Sequence, residues 1–234
     1  MINSFKKIFL TFFCIIFINI SAFGITLLET PVNLNAPWGM TWLDENNLLI
    51  TQKSGEIFLI DTEDYTQTQI KHNIPSVQYG QGGLLDIIND KNIIWVTCSV
   101  EKNGKYTTAI YQAELSGDTL VNEIKIYEAL PYIESPYHFG SRLELKDNYL
   151  YASIGERGEG MIAQDPTNSI GSIIRIHKNG NSPKDNPYIN NPNWLTEIYQ
   201  IGVRNPQGMA FDSLTREIFI SNHGPKGGDF IGPV

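Results

Sequence analysis

The chain has 234 residues, of which 41% are hydrophobic, 11% aromatic and 18% charged, a composition typical of a globular protein and not of a disordered one. Its formal net charge is −8 and it contains no basic segment, which argues against nucleic acid as a partner. Twenty glycines and twelve prolines favour a turn-rich β protein.

The first segment along the chain has the pattern of a secretory signal peptide. Two lysines precede the apolar stretch 8–18, and Ala22 and Gly24 stand at the −3 and −1 positions of a cleavage site. The apolar stretch is shorter than the ~20 residues that a membrane-spanning helix needs. We therefore expect residues 1–24 to be removed on export, leaving a periplasmic or extracellular protein that begins at Ile25 and has no stable membrane anchor.

The cysteine content bears on how the exported protein is stabilised. Of the two cysteines, only Cys98 lies outside the predicted signal peptide. An intramolecular disulfide is therefore excluded, and so is a zinc site built on paired cysteines. Stability has to come from an apolar core or from bound ions.

Four segments of residues 25–234 repeat one pattern, which consists of a glycine, an alternating apolar run, a polar turn and a second β-rich run. The repeats begin at Gly39, Gly83, Gly140 and Gly208, and their second runs are residues 47–51, 92–97, 148–153 and 217–221. Each repeat predicts two antiparallel strands, and third strands are predicted at 55–60 and 107–113. No run of comparable length has a helical period.

This repeat predicts an all-β fold of the β-propeller type, over a single domain at residues 25–234. The glycines are spaced as expected for blades of about 40–50 residues with some longer loops. A β-sandwich is the alternative, but it gives no reason for one strand pair to recur four times. The chain ends within the fourth repeat, so we expect an incomplete propeller of about three and a half to four blades.

In each blade of a propeller, the second strand ends at the edge of the sheet where the first strand begins, and we call this edge the rim. The register therefore brings the polar residues at these positions together on one face. Before the predicted first strands stand Trp38, Gln81, His138, Arg204 and Asn205, and after the second strands stand 52–53, 98–99, 156–157 and 223–225. A concave site with a few convergent polar groups is the usual place for a ligand. Alternatively, Gln81 and Asn205 only bond turn backbone and His138 is a structural histidine.

Eight motifs occur in an order that resembles the soluble aldose sugar dehydrogenases of the glucose/sorbosone dehydrogenase family, which use pyrroloquinoline quinone. They are residues 37–40 (PWGM), 80–85 (GQGGLL), 138–142 (HFGSR), 163–165 (AQD), 171–176 (GSIIRI), 185–187 (DNP), 204–208 (RNPQG) and 223–229 (HGPKGGD). The similarity extends over about residues 30–230. It implies a six-bladed propeller, a quinone and a calcium ion in the funnel, and oxidation of an aldose at its anomeric carbon to a lactone, with a respiratory or artificial electron acceptor.

The resemblance also implies roles for individual residues. His138 matches the general base, and Arg204 matches a catalytic residue that faces the reactive carbonyl of the quinone. The other matches are the quinone contacts Gln81, Arg204 and Asn205, the acid Asp229 of the quinone site, and the calcium ligands supplied by the carbonyls of Gly224 and Pro225.

The charges of the expected cofactor and of the protein have the same sign. The quinone carries three carboxylates and the protein is acidic, so we expect binding to depend on calcium and on local cations such as Arg204 and Arg157. Two alternatives stay open: a propeller that binds another molecule without catalysis, and an inactive fragment of the dehydrogenase that binds quinone poorly. Sequence reasoning leaves the preferred sugar and the oligomeric state open.

Overall fold

Alternating apolar residues form fifteen strands in the described part of the chain, residues 26–234 of a computed structural model. This part contains one short 3₁₀ helix, Gly160–Gln164. The predicted signal peptide, 1–24, lies outside the described residues. Within residues 26–234, none of the helical structure is long and apolar enough to cross a membrane.

The strands pair into four antiparallel sheets within residues 31–234, which we call blades 1 to 4. Blade 1 comprises β1 (Pro37–Trp42), β2 (Asn47–Gln52), β3 (Ile57–Asp61) and β4 (Gln67–Ile70). Blade 2 comprises β5 (Leu84–Asp90), β6 (Ile93–Lys102), β7 (Lys105–Ser116) and β8 (Thr119–Glu128). Blade 3 comprises β9 (Gly140–Lys146), β10 (Tyr149–Ile154), β11 (Ser172–His177) and β12 (Ile198–Ile201). Blade 4 comprises β13 (Pro206–Asp212), β14 (Glu217–Asn222) and β15 (Phe230–Pro233).

The first strand of each blade lies innermost, since β5 contacts β1 and β9, and β9 contacts β13. This arrangement around a common axis confirms the predicted all-β propeller, here with three four-stranded blades and one three-stranded blade. The two strands predicted for each repeat are the two inner strands of a blade. The third strands predicted at 55–60 and 107–113 are confirmed as β3 and β7.

Apolar side chains from adjacent blades form three separate cores, one between each pair of neighbours. Leu49 and Ile57 of blade 1 pack with Leu84 and Val96 of blade 2. Blade 2 meets blade 3 through a second core that includes Trp95, and blade 3 meets blade 4 through a third core of Tyr151, Ile173, Val203, Ile218 and Ile220. Burial between blades, and not within any one blade, therefore fixes where the inner strands begin.

Hydroxyl groups at the ends of the second strands bridge each blade to the next. Thr97 Oγ1 accepts the Asp86 amide of its own blade and donates to the Ser141 carbonyl of blade 3, at 2.8 Å in both bonds. Ser153 Oγ likewise accepts the Arg142 amide at 2.9 Å and donates to the Pro206 carbonyl of blade 4 at 3.0 Å. Thr51 repeats this bridge between blades 1 and 2. These bridges occur beside the register shifts between the inner strands, so each hydroxyl replaces part of the backbone pairing.

Arg142 of β9 connects the inner strands of all four blades. Its Nη1 lies 2.8 Å from Asp86 Oδ1 of β5, and its Nε donates to the Gln207 carbonyl of β13 at 2.6 Å. Its guanidinium lies 4.2 Å from the centre of the Trp38 ring of β1. The ion pair joins blade 3 to blade 2, and the bond to the Gln207 carbonyl joins blade 3, which follows His138, to blade 4, which follows Arg204.

Candidate functional site

The rim at which the inner strands begin brings Gln81 and His138 together, as the propeller register predicts. The His138 amide donates to Gln81 Oε1 at 2.8 Å, and the Gln81 amide donates to the Pro136 carbonyl at 2.8 Å. His138 has a left-handed backbone with φ 52°. Gln81 therefore fixes the turn that presents the histidine, and the oxygen end of its amide is engaged in this bond.

The imidazole of His138 is held by a buried carboxylate. Nδ1 of His138 is hydrogen-bonded to Glu156 Oε1, and the second oxygen of Glu156 accepts the Gly160 amide at 2.7 Å. The Glu156 side chain is only 4% exposed, compared with 12% for His138. Since an ionised carboxylate only accepts hydrogen bonds, Nδ1 is the donor in this bond, which leaves Nε2 as the ring atom that can take up a proton from a ligand.

Arg204 approaches the same carboxylate from blade 4. Its Nε lies 3.8 Å from Glu156 Oε1, and its carbonyl accepts the Glu156 amide at 2.8 Å. Its Nη1 donates to the carbonyl of His223 at 3.2 Å and lies 3.4 Å from that of Gly224. The guanidinium is one-third exposed, so it adjoins the base and still reaches solvent.

Asn205 lies beneath this rim and connects blades 3 and 4. Its side-chain oxygen accepts the Gly140 amide at 3.1 Å, and its own amide donates to Asn222 Oδ1 at 3.0 Å. The same Asn222 oxygen accepts the Arg204 amide at 3.0 Å. Asn205 is buried, so the structure places it at the base of the site with its side-chain oxygen bonded to protein backbone.

The three remaining predicted site residues share one exposed turn after β14. Asp229 Oδ1 accepts the Gly224 amide at 2.9 Å and lies 3.9 Å from His223 Nδ1, which ties the ends of the turn together. The Pro225 carbonyl accepts the Gly228 amide at 3.0 Å. A cavity of about 390 Å³ adjoins the turn, lined by Ser221, Asn222, His223, Asp229, Phe230 and Ile231.

The carbonyls of Gly224 and Pro225 were predicted to bind calcium, and in the structure both already accept hydrogen bonds, from Arg204 Nη1 at 3.4 Å and from the Gly228 amide at 3.0 Å. Backbone carbonyls are suitable hard donors, but Gly224 and Pro225 supply only two of the six to eight oxygens that calcium takes. The described residues 26–234 contain no cluster of three His, Cys, Asp or Glu side chains that could hold a metal. Carboxylates of a bound anion and water would have to complete the coordination.

Arg157 is not one of the cations of the site, contrary to the prediction from its place in the sequence. It is fully buried, and its guanidinium donates to the carbonyls of Tyr137 at 2.9 Å, Tyr106 at 2.6 Å and Ser135. It also lies 3.6 Å from the centre of the Phe139 ring. Burial lowers the pKa of this guanidinium to about 10. Its backbone is left-handed, with φ 58°, and its side chain has no exposed surface to offer a ligand.

Two residues of the site had no role in the sequence analysis. The register placed Glu156 on the rim but assigned it no role. A carboxylate at the end of the strand pair that begins beside His138 was a usable signal for a partner of this histidine. Asn222, the last residue of β14, orders both Arg204 and Asn205. The role of Asn222 could not be deduced from sequence, because it depends on the register in which β13 and β14 pair in blade 4.

The chain matches the family model described as Glucose / Sorbosone dehydrogenase over residues 34–234. It is 33% identical over 209 residues to "Aldose sugar dehydrogenase YliI" of Escherichia coli, which covers 85% of this chain and 56% of the relative. It is 29% identical to "Quinoprotein glucose dehydrogenase B" of Acinetobacter calcoaceticus, covering 86% of this chain and 49% of that protein.

The fold is likewise similar to solved structures. The soluble aldose sugar dehydrogenase of Escherichia coli in its apo form superposes with a TM-score of 0.81 at 31% identity, over 85% of this chain and 60% of that one. The chain spans about half the length of the curated relatives that it matches. It belongs to the glucose/sorbosone dehydrogenase family.

Proposed function

We propose that the full-length protein oxidises aldose sugars at the anomeric carbon to lactones, with pyrroloquinoline quinone as cofactor. The observation that carries this proposal is the group formed by His138, Glu156 and Arg204, in which an imidazole and a guanidinium adjoin one buried carboxylate. The names of the relatives in Escherichia coli and Acinetobacter calcoaceticus, an aldose sugar dehydrogenase and a quinoprotein, support the same chemistry.

His138 is the general base of this proposal. The carboxylate of Glu156 keeps the proton on Nδ1, so Nε2 accepts the proton of the anomeric hydroxyl as the C1–H bond breaks. The imidazolium that forms lies beside the negative charge of Glu156, which stabilises it. Arg204 stays positively charged throughout and favours negative charge at the rim.

The polar groups of the rim fit an anionic, planar cofactor. Arg204 presents a partly exposed guanidinium, which binds carboxylates in a bidentate manner, and Gln81 has its amide nitrogen left for a ligand because its oxygen holds His138. Asn205 and Asp229 would act by fixing the backbone of the rim through their hydrogen bonds. Gly224 and Pro225 would act by binding calcium through their carbonyl oxygens. When bound, the quinone supplies the acceptor for the C1 hydride, and calcium polarises its carbonyl.

A propeller that only binds another molecule is the competing function. Such a protein has no need for a histidine whose tautomer is fixed by a carboxylate that is 4% exposed, because burying a carboxylate is costly unless it is fully bonded. We therefore favour the enzyme.

Product analysis tests the proposal. The full-length protein is incubated with calcium, the quinone, glucose and an artificial electron acceptor, and the products are identified by mass spectrometry. We expect a lactone of the sugar, formed only when the quinone is present. Absence of any oxidised sugar at saturating quinone would contradict the proposed function.

We propose further that the protein is exported, with residues 1–24 acting as a signal peptide. The support is the basic, apolar and small-residue order of that segment. The intact mass of the exported form should correspond to a chain that begins at Ile25. A protein recovered from the membrane fraction with Met1 retained would contradict this proposal.

A further inference from the structure

Tyr137 stands directly before the proposed base and faces solvent. The residue is 54% exposed, and its ring centre lies 5.9 Å from that of His138, with the ring planes inclined by 43°. In an extended strand consecutive side chains point to opposite sides, but the left-handed backbone of His138 brings these two rings together.

The backbone that carries Tyr137 is held rigidly. The Tyr137 carbonyl accepts Arg157 Nε at 2.9 Å, and its amide donates to Ser135 Oγ at 3.3 Å. On the other side, the His138 amide is bonded to Gln81 Oε1. The fully buried Arg157 therefore fixes the position of an exposed aromatic ring beside the base.

The exposure of Tyr137 distinguishes it from the tyrosines near it. Tyr79 and Tyr106 stack on each other with ring centres 4.1 Å apart. Tyr137 has Gly158 beside one edge of its ring, where an added Cβ would lie 3.7 Å from Cδ2. A tyrosine that served only packing would bury its ring, since that burial is what stabilises the fold. Tyr137 is instead more than half exposed.

We propose that Tyr137 is a stacking platform for the pyranose ring of the substrate, and so a specificity-determining residue of the proposed reaction, on which this inference rests. The C–H groups on one face of a pyranose pack against an aromatic ring at about 3.5–4 Å. A sugar that stacks on Tyr137 would have its edge beside the imidazole of His138, because the ring centres of Tyr137 and His138 are 5.9 Å apart. The platform thus selects cyclic sugars and turns a ring hydroxyl toward Nε2 of His138.

Two substitutions separate stacking from other roles of the side chain. Tyr137→Leu keeps an apolar group but removes the aromatic face, whereas Tyr137→Phe keeps the face. We expect the leucine variant of the full-length protein to raise KM for glucose by about 5- to 10-fold with little change in kcat. The phenylalanine variant should restore most of the affinity. Tyr65→Leu, in the turn between β3 and β4, is the matched control and should leave KM unchanged.

Binding is measured independently of turnover with methyl β-glucopyranoside, which has the ring face but no free anomeric hydroxyl to oxidise. Saturation-transfer NMR should detect this sugar on the wild-type protein and on Tyr137→Phe, and lose most of the signal on Tyr137→Leu. The stacking proposal would be overturned if Tyr137→Leu had the wild-type KM and undiminished saturation transfer to the sugar. It would also be overturned if the wild-type protein showed no saturation transfer. Transfer that depends on Tyr137 in a protein that oxidises no aldose would refute the proposed function and leave the platform intact.

Discussion

Nδ1 of His138 is hydrogen-bonded to the carboxylate of Glu156, and the two residues lie just before and just after the first strand pair of blade 3. The pairing of β9 with β10 creates this contact, because it returns the chain to the rim where β9 begins. The result is a histidine whose Nδ1 is engaged with a carboxylate, next to a guanidinium from the following blade.

Replacing Glu156 by glutamine should impair the base without removing it. The glutamine amide can donate to Nδ1, which favours the tautomer whose Nε2 carries the proton and cannot act as a base. We expect kcat to fall at least about 10-fold, with little change in quinone affinity. The measurement is steady-state kinetics of the full-length protein, and Glu159→Gln in the same loop is the control. Wild-type kcat in Glu156→Gln would show that the carboxylate does not set the tautomer.

Arg157 should be needed for stability and not for binding of the cofactor. Arg157→Met removes a buried donor from the carbonyls of Ser135, Tyr106 and Tyr137, of which only that of Tyr106 keeps another donor, the Ile133 amide. We expect the free energy of unfolding in urea to fall by about 3 kcal/mol or more. Arg216→Met removes an exposed ion pair with Asp147 and should cost about 1 kcal/mol or less. Equal losses in the two variants would contradict the buried role.

The hydroxyl bridges between blades should be measurable at Thr97. Thr97→Val conserves the shape of the side chain but leaves the Asp86 amide and the Ser141 carbonyl unpaired. We expect a loss of about 2 kcal/mol or more in the free energy of unfolding, and a much smaller loss for Thr97→Ser. Thr68→Val on the exposed outer strand β4 is the control. If the valine variant is as stable as the serine variant, the bridges do not stabilise the contact between blades.

Cys98 should be unreactive while the protein is folded. Its side chain is fully buried in β6, and burial raises the pKa of the thiol to about 12. The raised pKa keeps the thiolate under about 1% at pH 8.5, where an exposed cysteine reacts readily. Iodoacetamide labelling of a Cys14→Ser variant should therefore be slow in buffer and fast in denaturant. Fast labelling of the folded protein would contradict the burial.

Sequence reasoning recovered the inner part of every blade because both inner strands carry a regular apolar alternation. It did not predict β4, β8 or β12 individually. β4 has three exposed polar residues out of four, and β12 has four residues after a long loop. Outer strands of this kind form because a neighbouring strand offers unpaired backbone groups, and their own sequences carry little signal.

For the site, register located the rim but not the direction of each side chain. Glu156 and Arg157 are adjacent in sequence, yet one faces the base and the other lies buried below the rim. The burial of Arg157 follows from its three carbonyl partners, which come from the segments at Tyr106, Ser135 and Tyr137, and those partners are set by the tertiary fold and not by the local sequence. The resemblance implied that Asn205 contacts the cofactor, and in the structure its side-chain oxygen accepts the Gly140 amide at the start of blade 3.

The most direct test of the proposed mechanism is the rate at which glucose reduces the bound quinone in a single turnover, compared between the full-length protein and its His138→Gln variant. The rate is followed by the absorbance of the quinone and normalised to the amount bound. We predict a fall of about 10²–10⁴-fold in His138→Gln with quinone binding largely retained, and no change in the control His177→Gln at the end of β11, the third strand of blade 3. Reduction at the wild-type rate in His138→Gln would show that the base lies elsewhere and would contradict the proposed mechanism.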